Sequence, residues 1–186
     1  MFEEIINCKQ CGLCKNQSPL LDNKTACKIF WVGLSAKKIS SDDERPLSPT
    51  TNSGSIIKCI EEKFQDVEMY KTNLVKCLPL DDTGKLRYPN KNEILHCLPN
   101  LKKEINELSP KILFLLGNKV INAVGTCYSI EFEKINGFNY KIVKYQDKYF
   151  VPIHHPSYVY VYKRKNLEDY EKAIETILSD ILDMVE

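Results

Sequence analysis

The chain of 186 residues has no run of about 18 uncharged apolar residues, so no membrane-spanning helix is expected. It has no internal repeat and no low-complexity tract, so no repeat architecture is expected either. Its first ten residues, MFEEIINCKQ, are acidic and short of apolar side chains, which argues against a signal peptide. Without a secretion signal, the eight cysteines are not expected to form a disulfide framework. Metal or cluster ligation in a cytoplasmic protein is the better account of them. Net charge is nearly absent, at +1, and does not by itself mark a nucleic-acid binder. Its distribution is uneven. Residues 168–186 carry seven acids against Lys172, a balance of −6 that leaves +7 on the rest. Either an acidic C-terminal helix masks a basic body, or this is an ordinary solvated helix face. Length and apolar content fit one domain over residues 1–186 with a real core, expected as a monomer.

The chain opens with Cys8-Lys9-Gln10-Cys11-Gly12-Leu13-Cys14. A CxxC pair puts two thiolates on one centre, and zinc and an iron–sulfur cluster both suit it. Cys27 reads as a small buried hydrophobe. Residues 28–33 form a buried first strand ending in a Gly turn. Residues 34–54 are polar and turn-rich, and a loop this long is functional or disordered. Residues 52–55 start a helix whose apolar face is Ile56, Ile57, Ile60 and Phe64, with Cys59 in the core. Residues 70–77 read as a second strand. A helix follows Asn92, with a kink or break expected at Pro99 and Cys97 on its first turns. Residues 111–116 are a strong buried strand, followed by a short helix over 118–124. Residues 138–143 and 149–153 read as two more strands, and a last helix starts at Asn166. This alternation predicts an α/β fold, a three-layer α/β/α arrangement around a largely parallel sheet. Active residues gather at the carboxyl ends of such strands, where Gly33, Leu34, Ser35, Asn73 and His155 all fall.

The stretch 151–165 carries most of the chemistry. A buried strand delivers His154 and His155, and Pro156 forbids simple continuation. A loop of alternating aromatic and β-branched residues is expected next, then Lys163, Arg164 and Lys165. The histidine can stabilise an anion, an aromatic wedge can enter a base stack, and the cations can hold phosphates. A strand end with a solvated basic turn is the plainer reading.

Four cysteines stand in a wider pattern. Cys8-Lys9-Gln10-Cys11-Gly12-Leu13 is followed by Thr72-Asn73-Leu74-Val75-Lys76-Cys77, by Pro89, Glu93 and Cys97, by Pro110-Lys111-Ile112 with Leu116-Gly117, and by His155-Pro156-Ser157. In content and order this resembles the iron–sulfur uracil-DNA glycosylases, families 4 and 5 of that superfamily, over most of the chain. The resemblance implies a uracil-DNA glycosylase-like fold and a [4Fe–4S] cluster on Cys8, Cys11, Cys77 and Cys97, tying the N-terminal loop to the middle of the chain. Zinc on the same thiols is the alternative, and Cys14 is a rival ligand. It also implies DNA as partner, with uracil or a modified pyrimidine flipped into a pocket and removed by hydrolysis. His155 would donate to the pyrimidine oxygen. Asn73 would read the base edge, though a turn-forming Asn is the plainer account. Ser157, Tyr158, Val159 and Tyr160 would fill the gap left by the base, and Lys163, Arg164 and Lys165 would hold phosphates. Ser48, Thr50, Thr51, Ser53 and Gly54 could also donate to phosphates before a helix at Ser55.

The sequence departs from the family in the pocket. The family-4 "GEAPG" acid is missing from Gly33-Leu34-Ser35-Ala36-Lys37, which is nearer the family-5 "GLAPA" version. Asp42, Asp43 and Glu44 are substitutes for activating water, and Ser35 a weaker one. Leu47 stands where family 4 stacks a Phe, and His154 adds a second titratable group beside His155. The substrate pocket, with Gly33, Leu34, Leu47, Asn73 and His154 around the base, is therefore expected to shift in specificity or lose rate. A non-catalytic DNA-binding member and a zinc-ribbon-like interaction module are the competing functions.

Overall fold

The computed structural model describes residues 2–185. Its strands are β1 (Ile29–Ser35), β2 (Met69–Val75), β3 (Ile112–Leu116), β4 (Val143–Tyr145) and β5 (Lys148–Ile153). Its helices are α1 (Glu3–Ile6), α2 (Asn52–Glu61), α3 (Lys91–Leu108), α4 (Asn118–Tyr128), α5 (Pro156–Tyr162) and α6 (Leu167–Val185). The strands form one sheet in the order β2-β1-β3-β5-β4. All pairings are parallel except that of the short edge strand β4 with β5.

Strand periodicity divides the core in two. Ile29 and Trp31 of β1 point toward α2, α5 and α6, whose Ile57, Val159, Tyr170 and Ile174 are buried there. Phe30 and Val32 point the other way, onto Ile5 of α1, Leu101 and Ile105 of α3, and Val120 and Val124 of α4. The expected three layers are therefore present. Central strands covered on both faces read as continuous apolar runs, as Ile112–Leu116 does.

Four local expectations are corrected. The stretch after His155 is the helix α5, not a loop. The His155 side chain caps it by accepting the Ser157 N–H, and Pro156 occupies its first position, where a missing N–H costs nothing. Helix α3 runs unbroken through Pro99, which lies on its exposed side, where solvent can satisfy the freed Leu95 carbonyl. Residues 138–142 form no strand; Phe138 and Tyr140 instead turn onto the rings of Tyr170 and His154. Helix α2 begins at Asn52, within the expected start over 52–55, because Thr51 caps it by accepting the Gly54 N–H. Cys59 is exposed, since the buried stripe of α2 is Ile56, Ile57 and Ile60. Boundaries also move: β1 runs through Gly33 to Ser35, β2 ends at Val75, α4 continues to Tyr128, and α6 starts at Leu167 after a 3₁₀ turn, Arg164–Asn166.

Candidate active site

A cavity of about 410 Å³ opens at the carboxyl ends of β1, β2 and β5. Leu34 and Ser35 come to it from β1, Asn73 from β2, and His155 and Ser157 from the β5–α5 junction. Ser53 enters from the first turn of α2, and Glu44, Arg45, Pro46 and Leu47 from the long loop before it. Leu86, Arg87 and Tyr88 reach it from the segment before α3.

Asn73 is 3% exposed and pairs across the ladder with Gly33. A Cβ on Gly33 would collide with Asn73 Oδ1 and lie 3.2 Å from Leu47 Cδ2. Glycine here is thus the space the amide occupies. Below it lies a buried polar network. Lys76 Nζ donates to the Asn73 carbonyl (2.5 Å) and to Thr72 Oγ1 (2.7 Å), and is ion-paired with Glu104. Tyr70 Oη and Thr72 Oγ1 each donate to Glu104 Oε1 at 2.9 Å. Burial and the carboxylate beside it push the Tyr70 hydroxyl far above its ordinary pKa, so it remains a donor. A buried lysine is tolerable only with such full pairing.

His155 Nδ1 accepts the Ser157 N–H at 3.3 Å. Burial lowers the pKa of the ring, so it is neutral at pH 7 and its proton resides on Nε2. Gly117, at φ +88°, backs this residue. A Cβ there would stand 3.2 Å from His155 Cβ. Ser157 Oγ and Ser53 Oγ are 2.6 Å apart and join the starts of α5 and α2.

Four residues expected at the pocket, Gly33, Asp42, Asp43 and His154, do not line it. Asp42 is exposed and outside the cavity, and its carbonyl merely accepts from Arg45. Its neighbour Glu44 lines the cavity instead. His154 is also outside it: Tyr140 Oη and His154 Nδ1 are 3.0 Å apart, and the ring stacks on Tyr158 at 5.5 Å. Gly33 is placed behind the lining and acts through Asn73. Along α5, Val159 is fully buried and cannot be a wedge. The exposed apolar side chains are Tyr158, Val161 and Tyr162, next to Lys163, Arg164 and Lys165, with Arg164 lying over the Tyr160 ring. Ser48 is buried in its loop, within 2.9 Å of Thr50 Oγ1.

The cysteines gather beside β2 and α3. Leu13, Val75, Cys77 and Cys97 form a small core against which Cys11 and Cys14 pack. Asn100 Nδ2 donates to Cys8 Sγ (3.6 Å) and Cys97 Sγ (3.8 Å), and the Lys76 N–H donates to Cys97 Sγ (3.3 Å). Burial, then the nearby thiols of Cys97, Cys11, Cys14 and Cys8, push Cys77 up to about 12. A thiol so disfavoured as a bare thiolate sits among four others, with N–H donors aimed at sulfur. Among the described residues, no three His, Cys, Asp or Glu side chains are grouped as for a single metal ion. A thiol-only donor set with N–H donors aimed at sulfur is of the kind that holds an iron–sulfur group.

Sequence reasoning missed the Lys76–Glu104 pair. Its signal was present: Glu104 interrupts the apolar stripe Leu101, Ile105, Leu108 of α3, and a charge at such a position demands a buried partner. It also missed Arg87, which pairs with Glu93 at 2.6 Å and brings Leu86 and Tyr88 to the rim of the cavity.

A cavity at the strand ends lined by an amide and an imidazole suits a DNA glycosylase, a hydrolase of N-glycosyl bonds, and the relatives of the chain are of that class. The chain belongs to the uracil DNA glycosylase superfamily, whose family model matches residues 21–178. It is 26% identical over 169 residues to the type-4 uracil-DNA glycosylase of Sulfurisphaera tokodaii, covering 83% of this chain and 72% of that one. It is 25% identical over 189 residues to the type-4 uracil-DNA glycosylase of Archaeoglobus fulgidus, covering 95% and 89%. The crystal structure of SMUG2 from Pedobacter heparinus shares the fold, with a TM-score of 0.57, 13% identity, and 88% and 79% of the two chains covered. No helix of the described residues is long and apolar enough to cross a membrane.

Proposed function

We propose that this protein removes uracil, or a modified pyrimidine of similar edge, from DNA. The observation that carries the reading is that Asn73 and His155 line one cavity with their groups prepared for a pyrimidine. The Asn73 amide pairs donor to acceptor and acceptor to donor with the edge of uracil. His155 Nε2–H points a neutral donor at the pyrimidine oxygen that gains negative charge as the glycosidic bond breaks. Donors fixed in advance in a dry site are worth most there. Ser35 and Leu34 close the β1 side of the pocket. Leu47 stacks less well than an aromatic ring and leaves room for a substituent on the base.

DNA is held around this pocket. Tyr158 and Tyr162 supply the apolar wedge that offsets unstacking, while Tyr160 backs Arg164. Lys163, Arg164 and Lys165 neutralise phosphates. Ser53 and Ser157 offer hydroxyls at the joined helix starts. Cys8, Cys11, Cys77 and Cys97 hold a [4Fe–4S] cluster that fastens the N-terminal segment to β2 and α3, and Cys14 is the spare thiol. When bound, the cluster supplies cross-linking rather than chemistry at the base. Eight unpaired cysteines suit a reducing compartment, and the reading takes the protein as a single-domain cytoplasmic monomer.

The test is alkaline strand cleavage after incubation with oligonucleotides, single- and double-stranded, carrying uracil or bulkier pyrimidines. Alkali-labile product from uracil is expected. DNA binding without product from any base would contradict the reading.

A further inference from the structure

Cleaving an N-glycosidic bond leaves a cationic sugar that a water must attack, and a carboxylate serves both needs. Position 34, at the cavity, is an apolar Leu. Asp42 and Asp43 are exposed and outside the cavity. Among the described residues that line it, Glu44 alone carries a carboxylate.

Glu44 is built into place. Its side chain is 8% exposed. Oε2 accepts the Ser40 N–H at 2.6 Å, and Oε1 accepts the Thr50 hydroxyl at 3.2 Å, with Lys37 Nζ 3.5 Å away. A carboxylate offers about four acceptor sites, so capacity for a water remains. The loop that carries it is fixed on both sides. Gln17 donates to the Lys37 carbonyl and accepts the Ile39 N–H, each at 3.1 Å. Leu47 sits at φ +52°, a left-handed conformation rare for its type. A Cβ on Gly54 would collide with the Leu47 and Ser48 carbonyls, so α2 starts pressed against this loop. Strain held this firmly is a mark of function. The Ser40 N–H, above all, keeps the carboxyl of Glu44 below its ordinary pKa and hence ionised.

We propose that Glu44 is the carboxylate of this active site, orienting and deprotonating the attacking water and steadying the sugar cation. The inference rests on the glycosylase reading above. The C1′–N bond breaks and its electron pair leaves with the base, whose anion His155 holds. The water oxygen bonds to C1′, and its proton passes to Glu44 and then to solvent. One water is consumed, and a free base and an abasic sugar result.

The experiment compares single-turnover excision and DNA affinity for wild type, Glu44→Gln, Glu44→Ala and Asp42→Asn, with thermal melting of each. Glutamine keeps partners for Ser40 and Thr50 but removes the charge. The expected result is a rate about a hundredfold or more lower for Glu44→Gln, with affinity and melting unchanged and Asp42→Asn at the wild-type rate. A Glu44→Gln protein at the wild-type rate overturns the proposal, as does loss confined to Glu44→Ala, which makes the residue a loop staple. Loss matched by weaker binding or melting also overturns it. A wild type inert on every base overturns the glycosylase reading and this proposal together, whereas an active wild type with equally active Glu44→Gln overturns this proposal alone.

Discussion

Asn73 and Gly33 face each other across the β1–β2 ladder, and the Asn73 side-chain oxygen occupies the space a Cβ on Gly33 would fill. Gly33→Ala should therefore displace the amide while leaving the strand intact. The expected outcome is uracil excision at least about tenfold slower, a loss of over 1.4 kcal/mol in the barrier, with a much smaller change in stability. Excision rates beside urea unfolding of the same variant check this.

The Lys76–Glu104 pair is wholly buried, with side chains 1% and 0% exposed. Lys76→Met strands a carboxylate in the core and should cost about 3–5 kcal/mol. Lys76→Met with Glu104→Gln removes both charges while keeping an acceptor for Tyr70 and Thr72, and should recover at least half of that loss. Urea unfolding of the three proteins measures it. Both variants should also disturb Asn73, whose carbonyl Lys76 holds.

That pair shows where the sequence stops being legible. Apart from α5 and the strand expected over 138–142, strand and helix order follows from apolar periods, because β1, β3 and β5 are covered on both faces and the helices on one. Asn73 and His155 are legible because they lie near the carboxyl ends of strands in a parallel sheet and within the motifs that carry the family resemblance. Which loop carboxylate turns inward is not legible, since Asp42, Asp43 and Glu44 are adjacent and only the folding of the loop itself, which brings Ser40 and Thr50 onto Glu44, selects it. The helix α5 was hidden by alternating aromatic and β-branched residues, which carry a strand-like period. Its cap by His155 and the burial of Val159 override that propensity.

Burial holds the His155 pKa below its ordinary value, so the unfolded chain binds the proton more readily than the native one. Its contribution to stability is present in full above the ordinary histidine value of about 6.5 and is lost as pH falls below it. His155→Gln should flatten the decline of stability between pH 6.5 and the lowered native value. Urea midpoints taken across that range test the sign: a slope unchanged by the substitution contradicts it.

Among the cysteines, Cys97→Ser and Cys77→Ser should abolish the visible thiolate-to-iron absorbance and lower the melting temperature, as should chelation of the iron. Cys59→Ser, on the exposed face of α2, should change neither. Colourless protein holding one zinc would contradict the cluster. Paired Cys11→Ser and Cys14→Ser proteins show which thiol serves, and Cys11→Ser is expected to lose the colour.

The account turns on His155 as the neutral donor to a leaving pyrimidine. The most direct measurement is the single-turnover rate of uracil excision by His155→Ala, with DNA affinity measured in parallel. The predicted result is a rate about 10²–10³-fold below wild type with affinity retained, the loss typical of one oxyanion donor. Excision by His155→Ala at the wild-type rate would contradict the account.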